Sequence, residues 1–229
     1  GGGVGGERSV GNAGDPGAAY REAIDVYTAH QWSYGLEAAG VMAACVAAAF
    51  VPGATVDHVV STALEYAKEG TREAIEAVVY EARRYDDWRE AIVPLREAIQ
   101  PFDGSAEDGV RDRGNGTDDW QPSRRKSIEE LPVALGMLVV AKGDFLEAIR
   151  GAANYGRDND SIAGMAGSIA GAMHGDGVIP AGWAEQVNRA NRVDLDPLAR
   201  DLTSLAISLQ REQAEAAAAR SSVFAELTA

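Results

Sequence analysis

Apolar residues recur at three- and four-residue spacing along most of the chain, the pattern of helices that bury one face. Asp15 and Pro16 are the residue types of an N-cap and a first helical position, and apolar residues follow at helical spacing to about residue 29. From Tyr34 to Phe50 nearly every residue after Glu37 is apolar. This second segment is predicted to be a central, buried helix.

The same pattern continues through the rest of the chain with few strand signals. Candidate N-caps are Thr55, Asp86 or Asp87, Asp144, and Ser127, which together with Glu130 has the spacing of a capping box. Pro94 is expected to kink its helix or to restart it. Further helices are predicted over residues 71–84, 180–190 and about 198–220. The predicted fold is therefore all-α, a compact multi-helix bundle forming a single domain over residues 1–229.

One segment breaks the helical pattern. Residues 102–121 are polar, charged and rich in glycine, and they show no periodicity. We interpret them as a long, flexible surface loop.

Composition narrows the class of protein. Hydrophobic residues make up 46% of the 229 residues, charged residues 24% and aromatic residues 7%, a balance that favours close-packed helices in a globular protein. The formal net charge of −14 argues against nucleic acid as a partner. Cys45 is the only cysteine and lies in an apolar stretch, so we expect buried packing. No signal peptide or membrane-spanning run is evident, and the predicted location is cytoplasmic.

The segment NYGRDNDSIAGMAGSIAGAMHG, residues 154–175, carries the main candidate chemistry. Asp160 is placed to cap a helix that Ser161 opens, but capping does not require Asp158 as well. Two carboxylates and a hydroxyl at D-x-D-[ST] spacing are oxygen ligands that suit Mg²⁺ or Ca²⁺. Both interpretations, a helix cap and a metal site, remain open on the spacing alone.

Small residues follow these acids. Gly164, Gly167, Gly171 and Gly175 recur every three or four residues, and alanines lie among them. Such a stripe predicts that another helix approaches closely.

Residues 127–175 resemble the C-terminal signature of the ADP-ribosylglycohydrolase family, in which a helix and a short acidic turn precede G-[GR]-D-[TNS]-D-[TS]-I-A and a small-residue helix. Here the corresponding stretch reads GRDNDSIA. An upstream stretch, NAGDPGAAYREAIDVYTAH, resembles the family's N-A-G-D-P helix start with a histidine after it.

The resemblance implies an all-α fold around a buried divalent-metal site, holding two Mg²⁺ or Mn²⁺ ions. It implies hydrolysis of the glycosidic bond at the anomeric ribose carbon of an ADP-ribosylated protein or an ADP-ribose-like small molecule. By position in the motif, Asp158, Asp160 and Ser161 match the family's C-terminal metal ligands.

The resemblance also implies substrate-binding positions. Those that match are Gly156 and His30, together with Gly5, Gly6 and Arg8 in a loop toward the diphosphate. His30 also has a structural interpretation, as a capped or core histidine, whereas His58 and His174 are expected at the surface and at a helix end. Arg157 stands where many relatives have glycine, and its guanidinium either contacts a substrate phosphate or neutralises the acids.

The family's G-D-A-x-G and T-D-D-T stretches are not found in this sequence. They carry the remaining metal ligands, so an N-terminal segment of the family is expected to lie outside it, and the catalytic residues, unknown here, are expected there. The alternatives are a non-catalytic ADP-ribose-binding domain and a helical interaction domain in which Asp158 and Asp160 only cap a helix.

Overall fold

The computed structural model describes residues 11–103 and 127–229, and it contains helices and no strand within them. The helices are α1 (Pro16–Tyr27), α2 (Ser33–Ala49), α3 (Val56–Tyr66), α4 (Glu69–Ala82), α5 (Trp88–Ile99), α6 (Glu130–Val140), α7 (Phe145–Tyr155), α8 (Asn159–His174), α9 (Ala181–Asn191) and α10 (Leu195–Leu227). Two 3₁₀ turns, Gln100–Phe102 and Asp176–Val178, follow α5 and α8. The all-α prediction is confirmed. Residues 104–121 of the predicted loop lie outside the described residues.

Several helix starts follow from local chemistry. Asp15 accepts a hydrogen bond from the backbone N–H of Ala18 at 2.9 Å, and Pro16 opens α1. Thr55, Asp87 and Asp144 likewise accept backbone N–H bonds at the starts of α3, α5 and α7. These caps confirm the predictions, because each depends only on residues within one turn.

Two helices run through the core. In α2 every residue from position 40 to position 49 is buried, and in α6 every residue except Val139 is buried. Around α6 pack α4, α5, α7 and α8. A Cβ on Gly136 of α6 would lie 2.7 Å from Cγ1 of Val78 in α4, so the two helices approach at a distance that only glycine permits.

The glycines of α8 do not behave as their spacing predicts. Among the described residues, nothing lies within 4 Å of a Cβ built on Gly164 or Gly171, and Gly175 lies beyond the helix. Only Gly167 has a tight neighbour, Cδ1 of Ile149 at 3.3 Å. The predicted close-packed stripe is therefore wrong, and α8 packs through Ile162, Met165, Ala166, Ile169 and Ala170.

The C-terminal helices differ from the bundle. Neither α9 nor α10 has a buried residue. Residues 195–227 form one helix, longer than the predicted residues 198–220.

Candidate functional site

The turn between α7 and α8 presents the two aspartates. α7 ends at Tyr155, Gly156 and Arg157 follow with φ angles of 87° and 55°, and Asp158 precedes α8. Glycine suits this conformation, which explains why Gly156 occupies the first position. Arg157 adopts it at a cost of about 1 kcal/mol, at the position where the resemblance expects glycine.

Helix capping does not account for the acids. Asp158, not Asp160, is the N-cap residue of α8, and its side chain makes no capping hydrogen bond. The prediction that Asp160 caps the helix is therefore wrong, since Asp160 lies inside the first turn. Both carboxylates are exposed, although the sequence predicts a buried metal site, and Ser161 is half-buried behind them. Asn159, between the two aspartates, links the turn to α7, because its Nδ2 donates to the Ala153 carbonyl at 2.6 Å.

Two glutamates at the start of α6 are buried instead. Glu129 is 1% exposed and Glu130 is 6% exposed. The sequence predicts that Glu130 joins Ser127 in a capping box, and this is wrong because α6 begins at Glu130 itself while Ser127 has a φ of 61°. The reason is tertiary: the chain before α6 brings Glu129 against the α7–α8 turn.

Glu129 anchors that turn. Its Oε1 accepts hydrogen bonds from the Tyr155 hydroxyl at 2.8 Å and from Nη1 of Arg157 at 2.6 Å. The Glu129 side chain is 2% exposed and that of Arg157 is 39% exposed, so the guanidinium closes the outer side of a buried carboxylate. Burial, with the charge of Glu129, raises the pKa of the Tyr155 hydroxyl, which therefore donates to Glu129 as a neutral group.

Arg96 of α5 holds the same turn from another side. Its Nη2 donates to the Tyr155 carbonyl, and its guanidinium lies 5.0 Å from the centroid of the Tyr155 ring. A Cβ on Gly156 would lie 2.8 Å from Nη2 of Arg96. The turn is thus fixed by residues of α5 and of the α6 start, and Asp158 follows directly from it.

Glu130 is buried close to the charges of Asp158 and Glu129. Burial, then the charge of Asp158 and then that of Glu129, raises the pKa of Glu130 to about 7. Its Oε2 is buried and has no hydrogen-bond partner in the described part of the chain. Glu129 and Glu130 are not among the site residues predicted from the sequence, where their signal is a pair of acids directly before the apolar run LPVALGMLVV.

The side-chain oxygens of Asp158, Asp160 and Ser161 suit a hard cation, but the described residues do not form a complete metal site. Carboxylate and hydroxyl oxygens are what Mg²⁺ and Mn²⁺ bind, and Asp158 and Asp160 are not occupied by capping. Within residues 11–103 and 127–229, however, no group of three or more His, Cys, Asp or Glu side chains is arranged to hold a metal ion. The metal-ligand assignment of Asp158, Asp160 and Ser161 stays a prediction.

The other predicted site residues lie in the N-terminal part. Gly5, Gly6 and Arg8 lie outside the described residues. His30 is exposed in the turn between α1 and α2, and its ring contacts that of Tyr27 at a centroid distance of 5.3 Å. A core position for His30 is therefore wrong, and its substrate-binding role stays a prediction. The predicted surface and helix-end positions of His58 and His174 are confirmed.

A cleft of about 490 Å³ lies at the other end of α8. It is lined by Met173 and His174, about 22 Å along the helix from Asn159, by residues of α3 and α6, and by residues that follow α4. Its cations are already paired, Arg83 with Asp57 at 2.6 Å and Lys142 with Asp86 at 2.7 Å. The cleft is separate from the acidic turn.

The fold and the turn together define an all-helical protein with two exposed aspartates at the start of α8. The family model described as ADP-ribosylglycohydrolase matches residues 9–214. The chain therefore belongs to the ADP-ribosylglycohydrolase family, a family of hydrolases. Comparison with curated proteins and with solved structures gives no match. In the described ranges, no helix combines the length and apolar character needed to cross a membrane.

Proposed function

We propose that the protein hydrolyses the glycosidic bond at the anomeric ribose carbon of an ADP-ribosylated protein or a related ADP-ribosyl compound, with divalent metal ions. Family membership over residues 9–214 supports the class of reaction. The observation that carries the proposal is the pair of exposed carboxylates, Asp158 and Asp160, which a fixed turn presents and which helix capping does not use.

Asp158, Asp160 and Ser161 would hold Mg²⁺ or Mn²⁺, two ions in all, through their side-chain oxygens. Glu129 and Glu130 lie behind the turn, and the charges of Asp158 and Glu129 that raise the pKa of Glu130 would favour a cation there. The described residues do not assemble three acidic ligands, and we expect further ligands from outside them. When bound there, a divalent metal would supply Lewis acidity toward a water molecule and a template for the ribose hydroxyls.

The reaction itself balances simply. Water adds its oxygen to the anomeric carbon, the bond to the acceptor nitrogen or oxygen breaks, and a proton passes to the departing acceptor. The products are free ADP-ribose and the unmodified acceptor.

The chain's own residues would position the substrate. Gly156 gives the turn its φ of 87° beside Asp158, and its substrate-binding role rests on its position in the family motif. Arg157 donates to Glu129, which supports a role in neutralising a buried acid and fixing the turn, and a contact of Arg157 with a substrate phosphate stays a prediction. His30, with Gly5, Gly6 and Arg8, would contact the ADP portion.

One observation favours a second candidate function. Within the described residues, no three acidic side chains are arranged to hold a metal ion. A protein without such a set of ligands could still bind ADP-ribose without hydrolysing it. The second candidate is therefore a non-catalytic ADP-ribose-binding domain.

Release of ADP-ribose from arginine-linked and serine-linked ADP-ribosyl peptides tests the proposal. We expect release in MnCl₂ that EDTA abolishes and that Asp158→Asn with Asp160→Asn abolishes. Asp176→Asn is the matched control, because Asp176 is an exposed aspartate beyond the opposite end of α8. Binding of ADP-ribose without release would favour the binding domain, and absence of both would contradict both functions.

A further inference from the structure

One buried carboxylate oxygen has no partner. Glu130 opens α6 with 6% of its surface exposed, and Oε2 of its side chain is buried without a hydrogen-bond partner in the described part of the chain. Buried polar atoms are nearly always hydrogen-bonded in folded proteins, so an exception calls for a physical explanation. A bound cation is one such explanation, because a carboxylate oxygen is a strong ligand for hard metal ions.

The backbone around Glu130 favours the charged form of this carboxylate. The backbone N–H groups of Glu129 and Glu130 lower its pKa, whereas burial raises it further than they lower it. The chain thus provides donors for one side of the carboxylate and leaves Oε2 without any in the described residues. A positive group beside Oε2 would complete its surroundings.

Glu130 and Asp158 are brought together by two helices that pack against each other. Glu130 is the first residue of α6 and Asp158 is the N-cap residue of α8, and these helices are in contact. Among the charges that act on the Glu130 carboxylate, that of Asp158 is the strongest, ahead of that of the adjacent Glu129. Two carboxylates this near each other repel, and a cation between them would stabilise both.

The two arginines that contact the α7–α8 turn do not serve as that cation. Arg157 pairs with Glu129 at 2.6 Å, and Arg96 donates to the Tyr155 carbonyl. Neither guanidinium is among the charges that act on Glu130. In residues 11–103 and 127–229, the chain therefore compensates the buried charge of Glu129 and leaves that of Glu130 uncompensated.

A pair of carboxylates is a usual protein contribution to a magnesium site. Mg²⁺ is commonly bound through one or two carboxylates and keeps several water molecules. Glu130 and Asp158 are such a pair, which agrees with the absence of a group of three potential ligands in the described ranges. Asp158 is exposed and Glu130 is buried, so a cation there would have solvent on one side and the bundle on the other.

We propose that Oε2 of Glu130 supplies a further carboxylate oxygen to the cation that Asp158 holds. Glu130 lies outside the motif from which Asp158, Asp160 and Ser161 are predicted as ligands, so its role does not follow from the family resemblance. The proposal rests on the metal site of the proposed function and adds a residue of α6 to it. The buried oxygen without a partner is the observation that carries it.

Calorimetric titration of MnCl₂ into the 229-residue protein tests this role. Glu130→Gln keeps the shape of the side chain and removes its charge, and we expect it to weaken Mn²⁺ binding by about 10- to 100-fold. Glu97→Gln is the matched control, because it makes the same chemical change at an exposed position on α5, and it should bind Mn²⁺ as wild type does. Asp158→Asn should lose the binding.

Urea unfolding in EDTA separates a ligand role from a structural one. Removing an uncompensated buried charge should leave the metal-free fold at least as stable, so Glu130→Gln should lose Mn²⁺ affinity without losing stability. A Glu130→Gln protein that is less stable than wild type in EDTA would overturn the proposal, because the loss of affinity would then follow from a disturbed fold.

The remaining outcomes separate Glu130 from the proposed function. Unchanged affinity of Glu130→Gln, in a protein whose binding Asp158→Asn abolishes, overturns the role of Glu130 and leaves the proposed metal site intact. Absence of Mn²⁺ binding by wild type, or binding that survives Asp158→Asn, overturns both. Binding that depends on Glu130, without release of ADP-ribose from ADP-ribosyl peptides, supports the role of Glu130 and contradicts the hydrolase.

Discussion

Replacing Glu130 by glutamine is expected to stabilise the protein at pH 8 and to have a much smaller effect at pH 5. Glutamine keeps the shape of the side chain and removes its charge. The pKa of Glu130 rises from 4.5 in the unfolded chain to about 7 in the fold, because the carboxylate is buried beside Asp158.

The sign follows from proton binding. Below pH 4.5 Glu130 is protonated in both states and contributes no penalty. As the pH rises from 4.5 to about 7, the unfolded state loses the proton first, so the folded state is progressively disfavoured, and the penalty is constant above pH 7.

The two pKa values set the magnitude. Their difference corresponds to a penalty of on the order of 3 kcal/mol at pH 8 and about 1 kcal/mol at pH 5. Urea unfolding of wild type and Glu130→Gln at several pH values measures it. Glu97→Gln is the control, because it makes the same chemical change at an exposed position on α5. A stability difference between wild type and Glu130→Gln that is independent of pH, or that falls as pH rises, would contradict a raised pKa of Glu130 in the fold.

Three further predictions concern single positions. Arg157→Ala and Arg157→Gly both remove the ion pair to buried Glu129, and each should lose about 1–3 kcal/mol of stability. Of the two, the glycine variant should be the more stable by up to about 1 kcal/mol, because glycine accepts the φ of 55° at this position. Equal urea midpoints would contradict the strain at Arg157. Gly136→Ala should destabilise by about 1–3 kcal/mol because its Cβ would lie 2.7 Å from another side chain, whereas Gly164→Ala, which meets nothing within 4 Å, should stabilise by about 0.5–1 kcal/mol. Thermal unfolding measures both, and the same sign for the two would be inconsistent with the packing described. Burial raises the pKa of the Cys45 thiol to about 12, so a thiol reagent should label the native protein at least about 100-fold more slowly than the denatured protein. Rapid labelling without unfolding would show that Cys45 is accessible.

What the sequence predicts well is local. Asp15, Thr55 and Asp144 cap their helices as expected, because an N-cap needs only a side-chain oxygen and the backbone of the next turn. The apolar segments that become α2 and α6 are buried for a similar reason, since helices apolar on all sides have no face for solvent.

What the sequence does not predict depends on distant contacts. Ser127 and Glu130 have the spacing of a capping box, yet Glu129 bonds to Tyr155 and Arg157, which are 26 and 28 residues away. The same holds for the acidic site. The spacing of Asp158 and Asp160 is visible in one motif, but whether other acids converge on them is decided by the packing of separate helices.

The metal site is tested most directly by calorimetric titration of Mn²⁺ into the protein, with Asp158→Asn and Asp176→Asn beside it. We expect wild type and Asp176→Asn to bind Mn²⁺ and Asp158→Asn to lose this binding. Equal binding by Asp158→Asn, or the absence of binding by wild type, would contradict a metal site at the start of α8.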